Sequence, residues 1–254
     1  MSAGGEAIRA EKLVKSFGHV TALNGVSMQV NRGETLGILG DNGAGKSTLV
    51  KILTGFHQPD HGQVYVDEKP VALGSVGEAR ALGIECVYQD LALVNGLSVY
   101  HNLFLSRELL RPGPFRFLDH GAMRRRAREA LADIGVAIPS VEVEVGALSG
   151  GQRQAIAVAR AVSSDARILL LDEPLAAMGA REAGLIIGLI ERLKARGNIA
   201  IVMIAHNYAQ TLEICDRIML MQHGEVTFES TAAATSAEEL LDIVRREYRA
   251  IRAG

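Results

Sequence analysis

The stretch Gly40-Asp41-Asn42-Gly43-Ala44-Gly45-Lys46-Ser47 constrains this chain more than any other. It fits the pattern G-x-x-x-x-G-K-[ST], follows the apolar run Thr35 to Leu39 and leads into the apolar helical run Thr48 to Leu53. Strand, glycine-rich turn and helix in that order are the setting in which such a loop cradles phosphate. Glycines let backbone N–H groups converge on phosphate oxygens, and the N-terminus of the following helix adds positive potential. Lys46 is then placed to reach the β- and γ-phosphates, and the Ser47 hydroxyl to ligate Mg²⁺. The alternative, a ligand-free glycine-rich turn, has no need of the Lys-Ser pair or of both flanking elements.

Composition narrows the rest. Hydrophobic residues make up 48% of the 254 against 22% charged, enough for a sizeable core, and this excludes a disordered chain. The length suits one large α/β domain carrying an inserted subdomain. With 27 Lys+Arg against 29 Asp+Glu and a net charge of −2, the bulk field favours neither a nucleic-acid backbone nor an anionic membrane. A mean hydropathy of +0.15 prompts a search for a membrane span. The longest apolar runs, Ile199 to Ala205 and the stretch around Ala183 to Ile190, fall well short of the roughly 20 residues required. The start, Met1-Ser2-Ala3-Gly4-Gly5-Glu6, lacks the layout of a secretory signal. Cys86 and Cys215 show no zinc or redox spacing, so reduced, buried thiols in a cytosolic setting are expected.

Short β-rich runs alternate with helical patterns, which predicts a largely parallel sheet with crossover helices. The strands expected are Ile8 to Val14, Ser27 to Val30, Thr35 to Leu39, Ile84 to Tyr88, Ile168 to Leu171, Ile199 to Ile204 and Ile218 to Met221. Between Asp90 and Gly146 charges cluster and Pro112 and Pro114 break the chain, which reads as a helical insertion. There Arg124-Arg125-Arg126-Ala127-Arg128 opens an amphipathic helix, and Ala127, Ala130, Leu131 and Ile134 place an apolar stripe behind a solvated basic face. At the end of the chain Ser236 and Glu239 have capping-box spacing, and Leu240, Val244, Tyr248 and Ile251 form one stripe.

Two further motifs carry chemistry. Ile168-Leu169-Leu170-Leu171 ends in Asp172-Glu173 at the sheet edge where nucleotides bind in open α/β folds. Neighbouring residues on a strand point opposite ways, so Asp172 suits a Mg²⁺ ligand and Glu173 a base that orients the attacking water. A strand-to-helix cap is the bland alternative. Leu148-Ser149-Gly150-Gly151-Gln152 opens a helix over Arg153 to Val162, and its hydroxyl and unobstructed N–H groups make a second anion site. A cap alone explains the serine but not two successive glycines, which weaken a first turn.

Taken together, the phosphate loop, Leu148 to Gln152, Leu171-Asp172-Glu173-Pro174 and His206 resemble, in order and spacing, the ATP-binding-cassette (ABC) ATPases over Phe17 to Glu225. The resemblance implies an α/β fold: a P-loop NTPase with a mostly parallel core sheet, an antiparallel β subdomain and an inserted α-helical subdomain. Its boundaries would be a core at 1–89 and 147–234, a helical subdomain at 90–146 and a C-terminal helix at 235–254. It implies ATP and Mg²⁺ as ligands and a head-to-tail dimer in which Ser149, Gly150, Gly151 and Gln152 of one subunit close over ATP held by the loop and Thr48 of the other. By the same resemblance Gln89 meets the metal and attacking water, His206 contacts the γ-phosphate, and Phe17, with Ala22 nearby, stacks on adenine. For His206 and Phe17 a core or capping role is the plain alternative, and Gln89 alone signals nothing.

One departure stands out. Cassettes of this family carry an aspartate near the position of Gly179, where this chain reads Leu175-Ala176-Ala177-Met178-Gly179. That ending, with Asp90-Leu91-Ala92-Leu93, Asn102-Leu103-Phe104-Leu105 and Ala205-His206-Asn207, is similar to the cassettes of ribose-, fructose- or galactose-type importers. The resemblance then implies an ATPase subunit at the inner face of a membrane. It would bind transmembrane permease subunits and serve a solute-binding protein indirectly, touching the membrane only through the permease and binding no nucleic acid. An exporter subunit or a non-sugar importer is the rival within transport, and a small-molecule kinase or a soluble cassette ATPase of DNA repair or translation the rival outside it.

Overall fold

The computed structural model describes residues 5–176 and 178–253, with the backbone alone described from 247 onward. Ten strands and eight α-helices are assigned among them. The strands are β1 (Glu6–Phe17), β2 (Val20–Asn31), β3 (Thr35–Leu39), β4 (His61–Val66), β5 (Lys69–Val71), β6 (Ile84–Val87), β7 (Ile168–Asp172), β8 (Ala200–Ile204), β9 (Arg217–Gln222) and β10 (Glu225–Thr231). The helices are α1 (Lys46–Leu53), α2 (Val76–Ala81), α3 (Val99–Leu103), α4 (His120–Asp133), α5 (Gly150–Val162), α6 (Ala180–Ala195), α7 (Tyr208–Ile214) and α8 (Ala237–Ala253).

A six-stranded sheet in the order β10-β9-β3-β8-β7-β6 forms the centre, and only β10 runs antiparallel to its neighbour. Both faces are covered, which is why its strands read as unbroken apolar runs. Along β7, Leu169 and Leu171 face a cluster with α5 and α6, while Ile168 and Leu170 face a second cluster with α1 and the smaller sheet. β8 divides the same way: Ile201 and Met203 join the first cluster, and Ala200, Val202 and Ile204 the second. The smaller sheet is antiparallel, in the order β2-β1-β4-β5, and caps the second cluster through Ile8, Leu13 and Val30.

Between β6 and α5 the chain makes α3, α4 and connecting loops, held to the first cluster by Val99, Leu103, Met123 and Leu131. Asn102 on α3 is fully buried and pins the segment that follows β6. Its Oδ1 accepts from Val94 N–H at 2.8 Å, and its Nδ2 donates to the carbonyls of Val94, Leu97 and Ser98. α4 starts four residues ahead of the arginine run, capped by Asp119 through the Ala122 N–H at 2.9 Å. Its buried stripe, Ala127 and Leu131 with Ile134 beyond, is the one expected. α5 likewise begins at Gly150 rather than Arg153, because Ser149 caps it. In α8, Leu240 is fully buried and Ser236 accepts from the Glu239 N–H, but the Glu239 carboxylate accepts from Thr235 Oγ1 instead of closing the box. The Tyr248 and Ile251 side chains lie outside the described residues.

Candidate functional site

The phosphate loop connects β3 at the middle of the sheet to α1, and its shape is enforced by close neighbours. Gly40 has φ +146°, and a Cβ there would lie 2.2 Å from the Met221 carbonyl oxygen; at Gly45, with φ +98°, a Cβ would lie 2.4 Å from that of Ala22. Only glycine fits either place. The N–H of Gly224, in the β9–β10 turn, donates to the Ala44 carbonyl at 3.1 Å, and the Asn24 N–H donates to the Gly224 carbonyl at 2.7 Å. The loop is thus braced by β2 on one side and β9–β10 on the other, while Asp41, Asn42, Gly43 and Ser47 are exposed at its rim. Thr48 is half-buried in the first turn of α1.

Lys46 is 5% exposed and folds back on the loop, its Nζ donating to the carbonyls of Gly40 at 2.6 Å and Asp41 at 2.8 Å. Burial lowers its pKa, against the raising influence of Glu173, Asp41 and Asp172. Those carboxylates are therefore its electrostatic neighbours. Asp172 closes β7, and its pKa is raised by burial first and then by Glu173, with Lys46, His206 and Lys51 pulling the other way.

Strand alternation does not separate Asp172 from Glu173, as the sequence suggested. Glu173 lies past the strand with φ +53°, in the left-handed region, where its N–H donates to the Ile204 carbonyl at 3.0 Å. That turn sends its carboxylate to His206, whose Nε2 donates to Glu173 Oε1. His206 follows β8, and the next residue, Asn207, caps α7 by accepting from the Gln210 N–H at 3.1 Å. A non-glycine residue held at positive φ is a strain concentrated where the chemistry was expected.

Gln89 lies two residues past β6, exposed. Val87 pairs with Leu171, so Gln89 emerges at the same sheet edge as Asp172 and Glu173. Phe17 ends β1 with 45% of its surface exposed; its ring meets the His57 ring edge-on at 5.2 Å, and Lys15 Nζ lies 5.6 Å from its centre. The same hairpin carries Ala22 against the loop. His57 has no signal in the sequence.

Ser149 is the N-cap of α5 with a complete capping box: its hydroxyl accepts from the Gln152 N–H at 3.3 Å and its own N–H donates to Gln152 Oε1 at 3.1 Å. None of the described contacts joins Ser149–Gln152 to the phosphate loop. The Gly151 N–H instead donates to the Glu182 carboxylate, at 3.3 Å. Near the far end of α5, Arg160 donates to the carbonyls of Leu91 at 2.9 Å and Ala92 at 2.8 Å, just beyond Gln89. Cys86 and Cys215 are free, and burial pushes both thiols up, Cys215 to about 12, which disfavours the reactive thiolate form. Cys86 is only half-buried, against expectation, because it sits on the last strand of the sheet. A cleft of about 990 Å³ lies at the opposite ends of the strands, beside Gly83, Arg167 and Asn198. Volume alone does not find the site.

A braced phosphate loop, a buried lysine facing two carboxylates and a histidine, all at the carboxyl edge of a mostly parallel sheet, define a P-loop nucleotide-hydrolysing protein. The family model for the ABC transporter matches residues 23–176, and the chain belongs to that family, as one of its ATP-hydrolysing cassettes. It is 44% identical over 230 residues to a xylose/arabinose import ATP-binding protein of Sulfolobus acidocaldarius, covering 91% of this chain and 90% of that one. It is 42% identical over 222 residues to a fructose import ATP-binding protein of Rhizobium meliloti, covering 85% of each. Among solved structures, it is similar to the dimeric structure of a post-hydrolysis state of an ATP-binding cassette bound to ADP and Pi, with TM-score 0.73 and 26% identity over 89% of this chain and 98% of that one. No helix among the described residues is long and apolar enough to cross a membrane.

Proposed function

We propose that this chain energises the import of a monosaccharide, binding and hydrolysing Mg-ATP as a head-to-tail dimer on the inner face of a membrane. Support for the cargo comes from the two sugar-import relatives above, and support for the chemistry from one observation: the buried Lys46 ammonium at the mouth of a braced loop, facing Asp172 and Glu173. In this reading the core, 1–89 and 147–234, hydrolyses ATP, the helical subdomain, 90–146, grips the permease, and the helix at 235–254 packs on the core. A solute-binding protein on the far side of the membrane delivers the sugar to the permease.

Lys46 leaves the carbonyls of Gly40 and Asp41 for the β- and γ-phosphates, while the loop amides hold the rest of the triphosphate. Phe17 stacks on the adenine. The protein donors fit Mg²⁺: Ser47 offers an exposed hydroxyl, Asp172 a carboxylate that burial and Glu173 leave short of positive charge, and Gln89 a third oxygen at the same edge. Bound there, Mg²⁺ would neutralise charge on the β- and γ-phosphates. Glu173 orients water in line with the γ-phosphate, and His206 moves from Glu173 to that phosphate, releasing the carboxylate for its task. Ser149 and Gly151 of the opposite subunit complete the site.

Glu173→Gln should bind ATP as wild type does and lose turnover by about 10²- to 10⁴-fold. Unchanged hydrolysis would remove Glu173 from this role. The same variant, tagged, loaded with Mg-ATP and drawn from detergent-solubilised membranes, should bring down a polytopic membrane protein in stoichiometric amount. Recovery of soluble partners alone, across several detergents, would leave the ATP chemistry and end the transport reading.

A further inference from the structure

Glu182 belongs to no motif of the sequence. It is the third residue of α6, whose N-cap, Gly179, has no side chain to offer. The Gly179 N–H helps to hold its carboxylate below the usual range, in the sense expected of a glutamate at that position. The carboxylate accepts from the Gly151 N–H at 3.3 Å, on a different helix, and the Ser149 hydroxyl acts on its pKa in the same sense. These donors, Gly151 foremost, hold it below the usual carboxylate range. A Cβ on Gly151 would lie 2.9 Å from the Glu182 Cβ and 3.2 Å from its Cα, so glycine there lets the first turn of α6 approach. The Gly151 amide that would meet a phosphate oxygen at the start of α5 is thus already engaged by an anion of the same chain.

We propose that Glu182 is a positioning residue that occupies the Ser149–Gly151 anion site in the separate subunit and yields it to the γ-phosphate presented by the opposite subunit, thereby setting the nucleotide concentration at which two subunits join. This rests on the head-to-tail reading above. The exchange is anion for anion on the same N–H, so closure gains only the difference between them. ADP, which ends at the β-phosphate, presents nothing to displace the carboxylate.

The test places Glu182→Gln in the Glu173→Gln background, where dimers persist, and titrates Mg-ATP while following dimer formation by sedimentation. Glutamine keeps an oxygen for the Gly179 and Gly151 N–H groups and removes the charge. A neutral acceptor holds an N–H less strongly, so the midpoint for dimerisation should fall by about fivefold, with monomer ATP affinity and thermal midpoint unchanged. A purely structural cap predicts no change in any of these. Glu182→Ala loses the cap and some stability, yet should lower the dimerisation midpoint in the same direction. An unchanged or higher midpoint, in proteins that do dimerise, overturns this inference alone. No ATP-dependent dimer in either protein overturns the head-to-tail reading together with it.

Discussion

Three glycines of the phosphate loop make a graded experiment, because their surroundings differ while their chemistry does not. Gly43 has φ +84° with nothing within 4 Å of a built Cβ, so Gly43→Ala meets conformational strain alone, about 1–2 kcal/mol. Gly45 combines φ +98° with a Cβ 2.4 Å from the Ala22 carbonyl oxygen and 2.9 Å from Leu23 Cδ2. Overpacking against backbone adds about 1–3 kcal/mol, giving Gly45→Ala about 2–5 kcal/mol in total. Gly40→Ala belongs with it, since its Cβ would lie 2.2 Å from the Met221 carbonyl oxygen. Part of this strain appears as lost stability, and part as a loop displaced from β2 or β9 that no longer converges its amides. Urea unfolding of the nucleotide-free chain and equilibrium ATP binding, measured on all three variants, capture both parts. The summed loss should rank Gly43→Ala well below Gly45→Ala and Gly40→Ala. A Gly43→Ala variant as damaged as the other two would refute the claim that close neighbours, rather than backbone freedom, fix the loop.

Two other outcomes follow from buried polar groups. Asp172 has its folded pKa raised above the ordinary 3.8, so its ionised form destabilises the folded chain above that raised value, and the penalty fades as pH falls through it. Asp172→Asn should therefore unfold at higher urea than wild type at pH 7 to 8, with the gain shrinking toward pH 4, while losing Mg-dependent hydrolysis; an equal gain at both pH values would count against it. Asn102→Leu leaves the Val94 N–H without its partner and takes one of two donors from the Val94, Leu97 and Ser98 carbonyls, which keep the backbone N–H groups of Leu97, Val145 and Asn102. It should lower stability by about 1–3 kcal/mol in urea unfolding, and amide exchange should rise first in the segment after β6.

The sequence made the interior strands legible and the edges obscure. Thr35–Leu39 is buried along its whole length, so its ends are where hydrophobicity ends. β4, β5 and β10 went unread because they are short or half-exposed; β10 alternates exposed and half-buried residues and carries Glu225 and Glu229, which give little apolar period. The phosphate loop and Asp172 were readable because backbone shape and residue type are both written in the motif. The aim of Glu173 was not, since its positive φ comes from the hydrogen bond to Ile204, set by the neighbouring strand. Glu182 hides for a related reason. An acidic residue in a first helical turn looks like ordinary dipole compensation, and only folding brings it to Gly151, 31 positions earlier.

Arg160 gives the molecule an interlock. Its guanidinium clasps the Leu91 and Ala92 carbonyls, while the opposite tip of the same helix carries Ser149. Those two hydrogen bonds link α5, with Ser149 at its tip, to the strand-end linker that follows Gln89. In the proposed dimer, a tilt that carries α5 toward the second subunit would pull on that linker, and so on Gln89 at its sheet edge. Capture of a neighbour's nucleotide and adjustment of the resident one would, in that dimer, be coupled through this one side chain.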